Sequence, residues 1–178
     1  VHALPRRDRT SARRRDRALA LAGFRAWKHG VVLRPDNLAG GRAALADHLA
    51  KLGLDPDAPV VGLELDEART KEVFGLWDVA ADRARAVALE ADVQKFVAQM
   101  DKRPPERVAA ESFWLGDDVV RFLVRDPLLP EHVCDPAPRR ALATAMGILD
   151  ERGVAVWWEI LMRAGAPAEA LKKRPKRR

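Results

Sequence analysis

The spacing of apolar residues changes character near residue 67. Before that point short apolar runs alternate with turn signals. After it, apolar positions recur at helical spacing almost to the end. Ala18, Leu19, Leu21 and Ala22 follow Thr10-Ser11, a pair suited to an N-cap, and stop at Gly23, which predicts a helix over about 12–22. GFRAWKHGVVLRP reads as two short strands joined by a turn at Lys28-His29-Gly30. Phe24 and Trp27 flank the first strand, and the Val31-Val32-Leu33 run is bounded by Gly30 and Pro35. Leu45, Leu49 and Leu52 predict a helix over about 41–52, opened by Asp36-Asn37 and closed by Gly53. VVGLEL, residues 60–65, alternates too little for a half-exposed strand and predicts a buried one.

In order, these elements are helix, strand, strand, helix, strand. Only a first strand is missing from the split βαβ arrangement of a ferredoxin-like domain. VHAL at the start supplies a stub of it, so the chain reads as beginning late in that strand. Beyond residue 67, Val73, Phe74 and Trp77 share a face, and Leu89, Val93, Phe96, Val97 and Met100 continue at helical spacing. A turn at Lys102-Arg103-Pro104-Pro105 ends that helix. Leu115, Val119 and Phe122 mark the next, which stops before Pro127. Pro138 suits the first turn of a further helix, with Leu142, Ala145, Met146 and Leu149 as its stripe. Gly153 is expected to interrupt it before a last stripe of Val154, Trp157, Trp158 and Leu161. The expected fold class is α+β. A ferredoxin-like domain with a truncated first strand spans 1–67, a mainly α-helical C-terminal domain spans 68–170, and a basic tail, expected to be disordered, spans 171–178.

At 178 residues and 48% hydrophobic, the chain has enough apolar surface for a real core. Its one cysteine, Cys134, excludes an internal disulfide framework. No apolar run reaches the roughly 18 residues that a membrane span needs. The Arg-rich N-terminus lacks the apolar region of a secretory signal, and these points together suggest the cytoplasm. The net charge of +6 is unevenly placed: residues 1–17 hold seven arginines against Asp8 and Asp16, and LKKRPKRR at the end holds six basic groups and no acid. The body between is net acidic. Basic ends of this kind attract phosphate through counterion release, without sequence preference, and serve equally as solubilising tails.

Candidate chemistry is sparse. His2, His29, His48 and His132 are isolated from one another, and His132 with Cys134 gives too few ligands for zinc. No nucleophile elbow, P-loop or dinucleotide fingerprint is present. Asp36-Asn37 and Gly40-Gly41 could present backbone N–H groups to an anion at a helix start, or form an ordinary capped turn. Asp117 and Asp118 are adjacent on a helix, so they do not face each other and read as solvated. No catalytic residue, metal site or cofactor is expected, and the chain does not read as an enzyme. Five tryptophans and no tyrosine are more informative. Trp157 and Trp158 cannot both enter one core, so one of them faces a partner subunit, a groove or a ligand.

FLVRDPLLPEHV, residues 122–133, is a rigid apolar corner between two helices. Pro127 and Pro130 fix φ and leave little unfolded-state entropy to lose. Leu128 and Leu129 are expected to plug into the apolar faces on either side, making the corner a clamp.

Three stretches together resemble one family. AGFRAWKHGVVLRPDNL is similar to the middle segment of PaaX-like transcriptional repressors, regulators of phenylacetate catabolism. Leu76-Trp77-Asp78 is similar to their LWD element, and FLVRDPLLPEHV to their proline-leucine corner between two C-terminal helices. Order and spacing agree over residues from about 3 to 160. The resemblance implies a winged helix for operator DNA, without counterpart in this sequence, then a ferredoxin-like domain similar to the small CRISPR-associated nuclease, and a helical C-terminal domain. It also implies a homodimer and an aryl-CoA effector such as phenylacetyl-CoA. Val32 stands where the family often has an aromatic, and Cys134-Asp135-Pro136-Ala137-Pro138 replaces a WPG-like element. An acyl-CoA needs cations for its phosphates and an apolar slot for its acyl end. Arg34, Arg42, Arg121 and Arg125 are the expected cations, with Trp27 and Trp114 lining the slot. DNA would be reached through a separately encoded winged helix, or weakly through the basic ends. The alternatives are a non-specific nucleic-acid interaction protein using those ends and a metal-dependent nuclease. The nuclease would need an acid at the end of the first strand, where none stands before Asp8.

Overall fold

The computed structural model describes residues 9–165 apart from His29 and Pro56. They form α1 (Arg9–Leu21), β1 (Arg25–Lys28), β2 (Val31–Leu33), α2 (Gly41–Leu52), α3 (Glu67–Phe74), α4 (Val79–Val97), α5 (Pro105–Val124) and α6 (Ala137–Arg163). A 3-10 turn, Met100–Lys102, lies between α4 and α5. The architecture is mostly helical with one small antiparallel sheet, in keeping with the α+β class. Two compact units are present. The first takes residues 1–82 with 122–136, and the second 83–121 with 137–178. The proline-leucine corner therefore belongs to the same unit as the sheet.

In the first unit, Ala18 of α1 and Ala22 just after it meet Leu45 and Leu49 of α2, with Leu54 closing the cluster. Alanine on one side lets leucine fill the space without a gap. Gly53 caps α2 at φ 103°, and Leu54 N–H returns to the Leu49 carbonyl at 2.9 Å, a glycine-terminated helix end as expected. β1 and β2 pair antiparallel with Arg25 opposite Leu33 and Ala26 opposite Val32, and the ladder is irregular before Lys28. A second cluster buries Val73, Trp77 and Leu129, with Trp27, Leu33 and Leu65 packed against it.

Two expectations for this unit are overturned. Residues 60–65 are not a buried strand: they lie outside any ladder, and Val61 is 76% and Leu63 54% exposed. A continuous apolar run is buried as a strand only when sheet neighbours cover it, and the described residues supply only β1 and β2. The VHAL stub of the expected first strand lies outside the described residues. At the corner, Leu129 is buried as expected, but Leu128 is 36% exposed and so does not plug a helix face.

In the second unit α4 buries Ala86, Leu89, Val93 and Phe96, and α6 buries Leu142, Ala145, Leu149 and Gly153. α5 buries Val108, Ala109, Ser112, Gly116 and Val119. Of the stripe read from the sequence, Leu115, Val119 and Phe122, only Val119 is buried. Small residues form the packed face instead. A Cβ on Gly153 would sit 3.4 Å from Ser112 Oγ, and one on Gly116 would sit 3.3 Å from the Met146 methyl. Gly153 does not interrupt α6, contrary to expectation. A mid-helix glycine costs about 1 kcal/mol without ending a helix, and Gly153 lies buried against Ser112 of α5.

Candidate functional site

The corner is held by side chains rather than by a ladder. Asp126 Oδ1 accepts from Leu128 N–H at 2.7 Å, within the corner itself. From the other side Asn37 donates through Nδ2 to the carbonyls of Leu128 and Pro127, the latter at 3.4 Å. Both peptide groups flanking the Leu128 Cα are thus held, and Leu128 takes a left-handed φ of 55°. A leucine in that region carries steric strain that glycine would not.

Asn37 is in turn held by Arg34. The Arg34 guanidinium donates to Asn37 Oδ1 at 3.0 Å, to the Ala22 carbonyl at 2.5 Å and to the Pro35 carbonyl at 3.1 Å. Burial lowers its pKa from the usual arginine value, with Asp36 opposing the shift. Arginine starts so high that the group stays charged. It ties the end of α1 to the loop that carries Asn37. The Asp36-Asn37 pair therefore serves the corner, while Gly40, at φ 88°, is the N-cap of α2 without a side-chain cap.

The remaining candidates of the first unit are Trp27, Arg42 and Arg125. Trp27 Nε1 donates to Glu72 at 2.9 Å, and the Lys28 ammonium lies 4.2 Å from its ring centre. Arg42 is exposed, 3.9 Å from Asp36, with its guanidinium against Gly62. The Arg125 side chain is exposed. Trp77 is buried against Leu129, and its Nε1 has no hydrogen-bond partner among the described residues. Near the corner Asp82 sits among Arg25, Asp126 and Asp78. Burial raises its pKa, Arg25 opposes this, and the two other carboxylates add to it.

Trp114 and Arg121 belong to the second unit, so the six residues read from the sequence are divided four and two. Trp114 is 66% exposed and stands edge-on to Phe113 at 5.4 Å. Arg121 pairs with Asp117 at 2.8 Å, so Asp117 is partnered rather than simply solvated. Phe113, Val120, Met146, Val154 and Trp157 line an open groove of about 330 Å³ between α5 and α6. Its floor is low because Gly116 and Gly153 contribute no side chains. Trp157, 43% exposed, is the member of the Trp157-Trp158 pair that faces this groove. Asp117 and Asp150 also line it, so it suits an uncharged apolar group better than a phosphate. Sequence reading missed the groove because its signal was the pair of glycines, not the apolar stripe.

Among the described residues, no group of three or more histidine, cysteine or acidic side chains is placed to hold a metal ion. No protein-family model, curated protein or solved structure matches this chain.

Proposed function

We propose that this chain is the effector-binding and dimerisation portion of a PaaX-like transcriptional repressor, responding to an aryl-CoA thioester such as phenylacetyl-CoA. One observation supports this reading above the others. The three stretches that carry the resemblance lie far apart in sequence, yet Trp27 and Leu33 of the first, Trp77 of the second and Leu129 of the third share one apolar cluster. Asn37 of the first stretch also holds the corner of the third. A common packing duty is a physical reason for these residue types to occur together in this order.

In this reading the small domain is a reduced ferredoxin-like unit in which residues 60–65 take the place of the last strand. Arg34 positions the corner, while Arg42 and Arg125 remain exposed cations for the CoA phosphates, and Trp27 belongs to the same unit. Trp114 and Arg121 form a separate pair on α5. Effector binding shifts the dimer between two geometries by its differential affinity for them. Operator DNA is then reached through a winged helix. The site of action is the cytoplasm, and among the described residues no helix is long and apolar enough to cross a membrane. The test is a titration with phenylacetyl-CoA followed by tryptophan fluorescence, with CoA and phenylacetate as controls. A saturable change with the thioester alone supports the reading, and equal responses to all three contradict it.

A second reading has its own observation. Arg9, Arg13, Arg14 and Arg17 are exposed on α1, a basic helix suited to sequence-blind phosphate contact. Binding to random duplex DNA that falls steeply as salt rises would favour it.

A further inference from the structure

The groove between α5 and α6 belongs to the second unit and has exposed apolar side chains along both walls. On α5, Phe113 is 59% and Trp114 66% exposed, and Val120 is exposed further along the same helix. On α6, Trp157 is exposed, and Leu161 continues its side of the helix one turn later. Trp114 stands at the rim, because its ring meets that of Phe113 edge-on and Phe113 lines the groove. One face therefore carries both a projecting aromatic side chain and a recess of about 330 Å³ floored by glycine. A recess of this size holds a small ring compound.

Charge and area select the occupant. Asp117 is paired with Arg121 on its own helix, and Asp150 is engaged too, so neither is left to attract a basic partner. Asp118, one turn beyond Trp114, is exposed and repels a phosphate. What suits the groove is an uncharged apolar group. At 150–250 Å² per aromatic side chain, the exposed parts of Phe113, Trp114 and Trp157 come to roughly 250–400 Å². A standard homodimer interface buries about 800 Å² per copy, about two-thirds of it apolar. With Val120 and Leu161 added, this face supplies most of that apolar share. A different partner would have to bring its own projecting ring, whereas a second copy brings Trp114. In a two-fold contact each copy fills the recess of the other at once. We propose that the groove between α5 and α6 is a self-association site filled by Trp114 of a second copy of this chain. The ring is then buried against Phe113, Met146 and Trp157, as the central anchor of the interface. This rests on the dimerisation half of the function proposed above and not on the effector, whose assigned residues Trp27, Arg42 and Arg125 take no part.

The test is sedimentation velocity of the full chain over a wide range of concentration, with no acyl-CoA present. A monomer–dimer equilibrium is expected, held or strengthened by added sulfate because apolar burial drives it. Trp114→Glu, at a position exposed in the single chain, is expected to raise the dimer dissociation constant at least about tenfold, with unchanged circular dichroism. Trp114→Phe is expected to keep most of the association. Val61→Glu changes an exposed apolar residue of the other unit and is expected to leave association as it was. A dimer that Trp114→Glu leaves intact, or that Val61→Glu weakens as much, would overturn the assignment of this face while dimerisation itself stands. A monomer at every concentration would overturn both, and would leave the groove to a small apolar ligand or another protein.

Discussion

Asn37 donates its side-chain amide to the carbonyl oxygen of Leu128, a residue 91 positions further along the chain. This contact joins the loop after the small sheet to the proline-leucine corner, and Arg34 holds Asn37 in place from behind. Asn37→Ala removes both donors to the corner and leaves Arg34 short of an acceptor. The expected cost is about 1–2 kcal/mol in urea unfolding. Asn37→Asp keeps the acceptor for Arg34 but not the donor, so it is expected to recover only part of the loss.

Leu128 supplies a test of opposite sign. Its φ of 55° favours glycine, and its side chain is partly exposed. Leu128→Gly is expected to leave stability unchanged or raise it by up to about 1 kcal/mol. Leu128→Val, β-branched in the same backbone region, is expected to lower it. Leu129→Ala, one residue on, is expected to cost about 2–4 kcal/mol because Leu129 is buried against Trp77. Parallel urea melts of the three variants separate the strained position from the buried one.

The glycines of α6 divide in the same manner. Gly147 is exposed in mid-helix, and a Cβ added to it would meet nothing within 4 Å. Gly147→Ala is therefore expected to stabilise by about 1 kcal/mol through helix propensity alone. Gly153→Val would drive two methyl groups toward Ser112 and is expected to destabilise by about 1–3 kcal/mol. Thermal melts followed by far-ultraviolet circular dichroism read both outcomes.

Asp82 predicts a pH dependence. Its folded pKa is raised above the ordinary aspartate value of 3.8, chiefly by burial. The folded state therefore holds this proton more tightly than the unfolded chain does. Stability from this group falls as pH rises from about the ordinary value through the raised one, and the charged carboxylate is a burden at neutral pH. Asp82→Asn is expected to raise the melting temperature at pH 7 by a small amount. That gain shrinks as the solution is acidified below the ordinary aspartate range.

Local patterns in the sequence located the hairpin and several helix ends, but not the break between α3 and α4 or the start of α1 at Arg9. Gly53 as a helix end and the stop before Pro127 each follow from backbone chemistry that a few residues fix. Residues 60–65 failed for the opposite reason. Their burial depends on sheet neighbours, and nothing within VVGLEL says whether those neighbours exist. Gly153 looked like a break because helix propensity is local, whereas its reason for being there is Ser112 on another helix. The same distinction governs the candidate sites. Arg34 and Arg42 look alike in sequence, but only the fold commits Arg34 to three acceptors and leaves Arg42 exposed. The groove beside Trp157 was illegible because it arises from side chains that Gly116 and Gly153 lack.

Calorimetric titration of the full chain with phenylacetyl-CoA tests the central claim most directly, with CoA and phenylacetate titrated alone under the same conditions. The account predicts saturable heat with the thioester, at least about tenfold weaker binding of either half, and a clear loss of affinity in Arg42→Ala and Arg125→Ala. A folded protein that gives no heat with the thioester, or that binds CoA as well as its phenylacetyl ester, would contradict it.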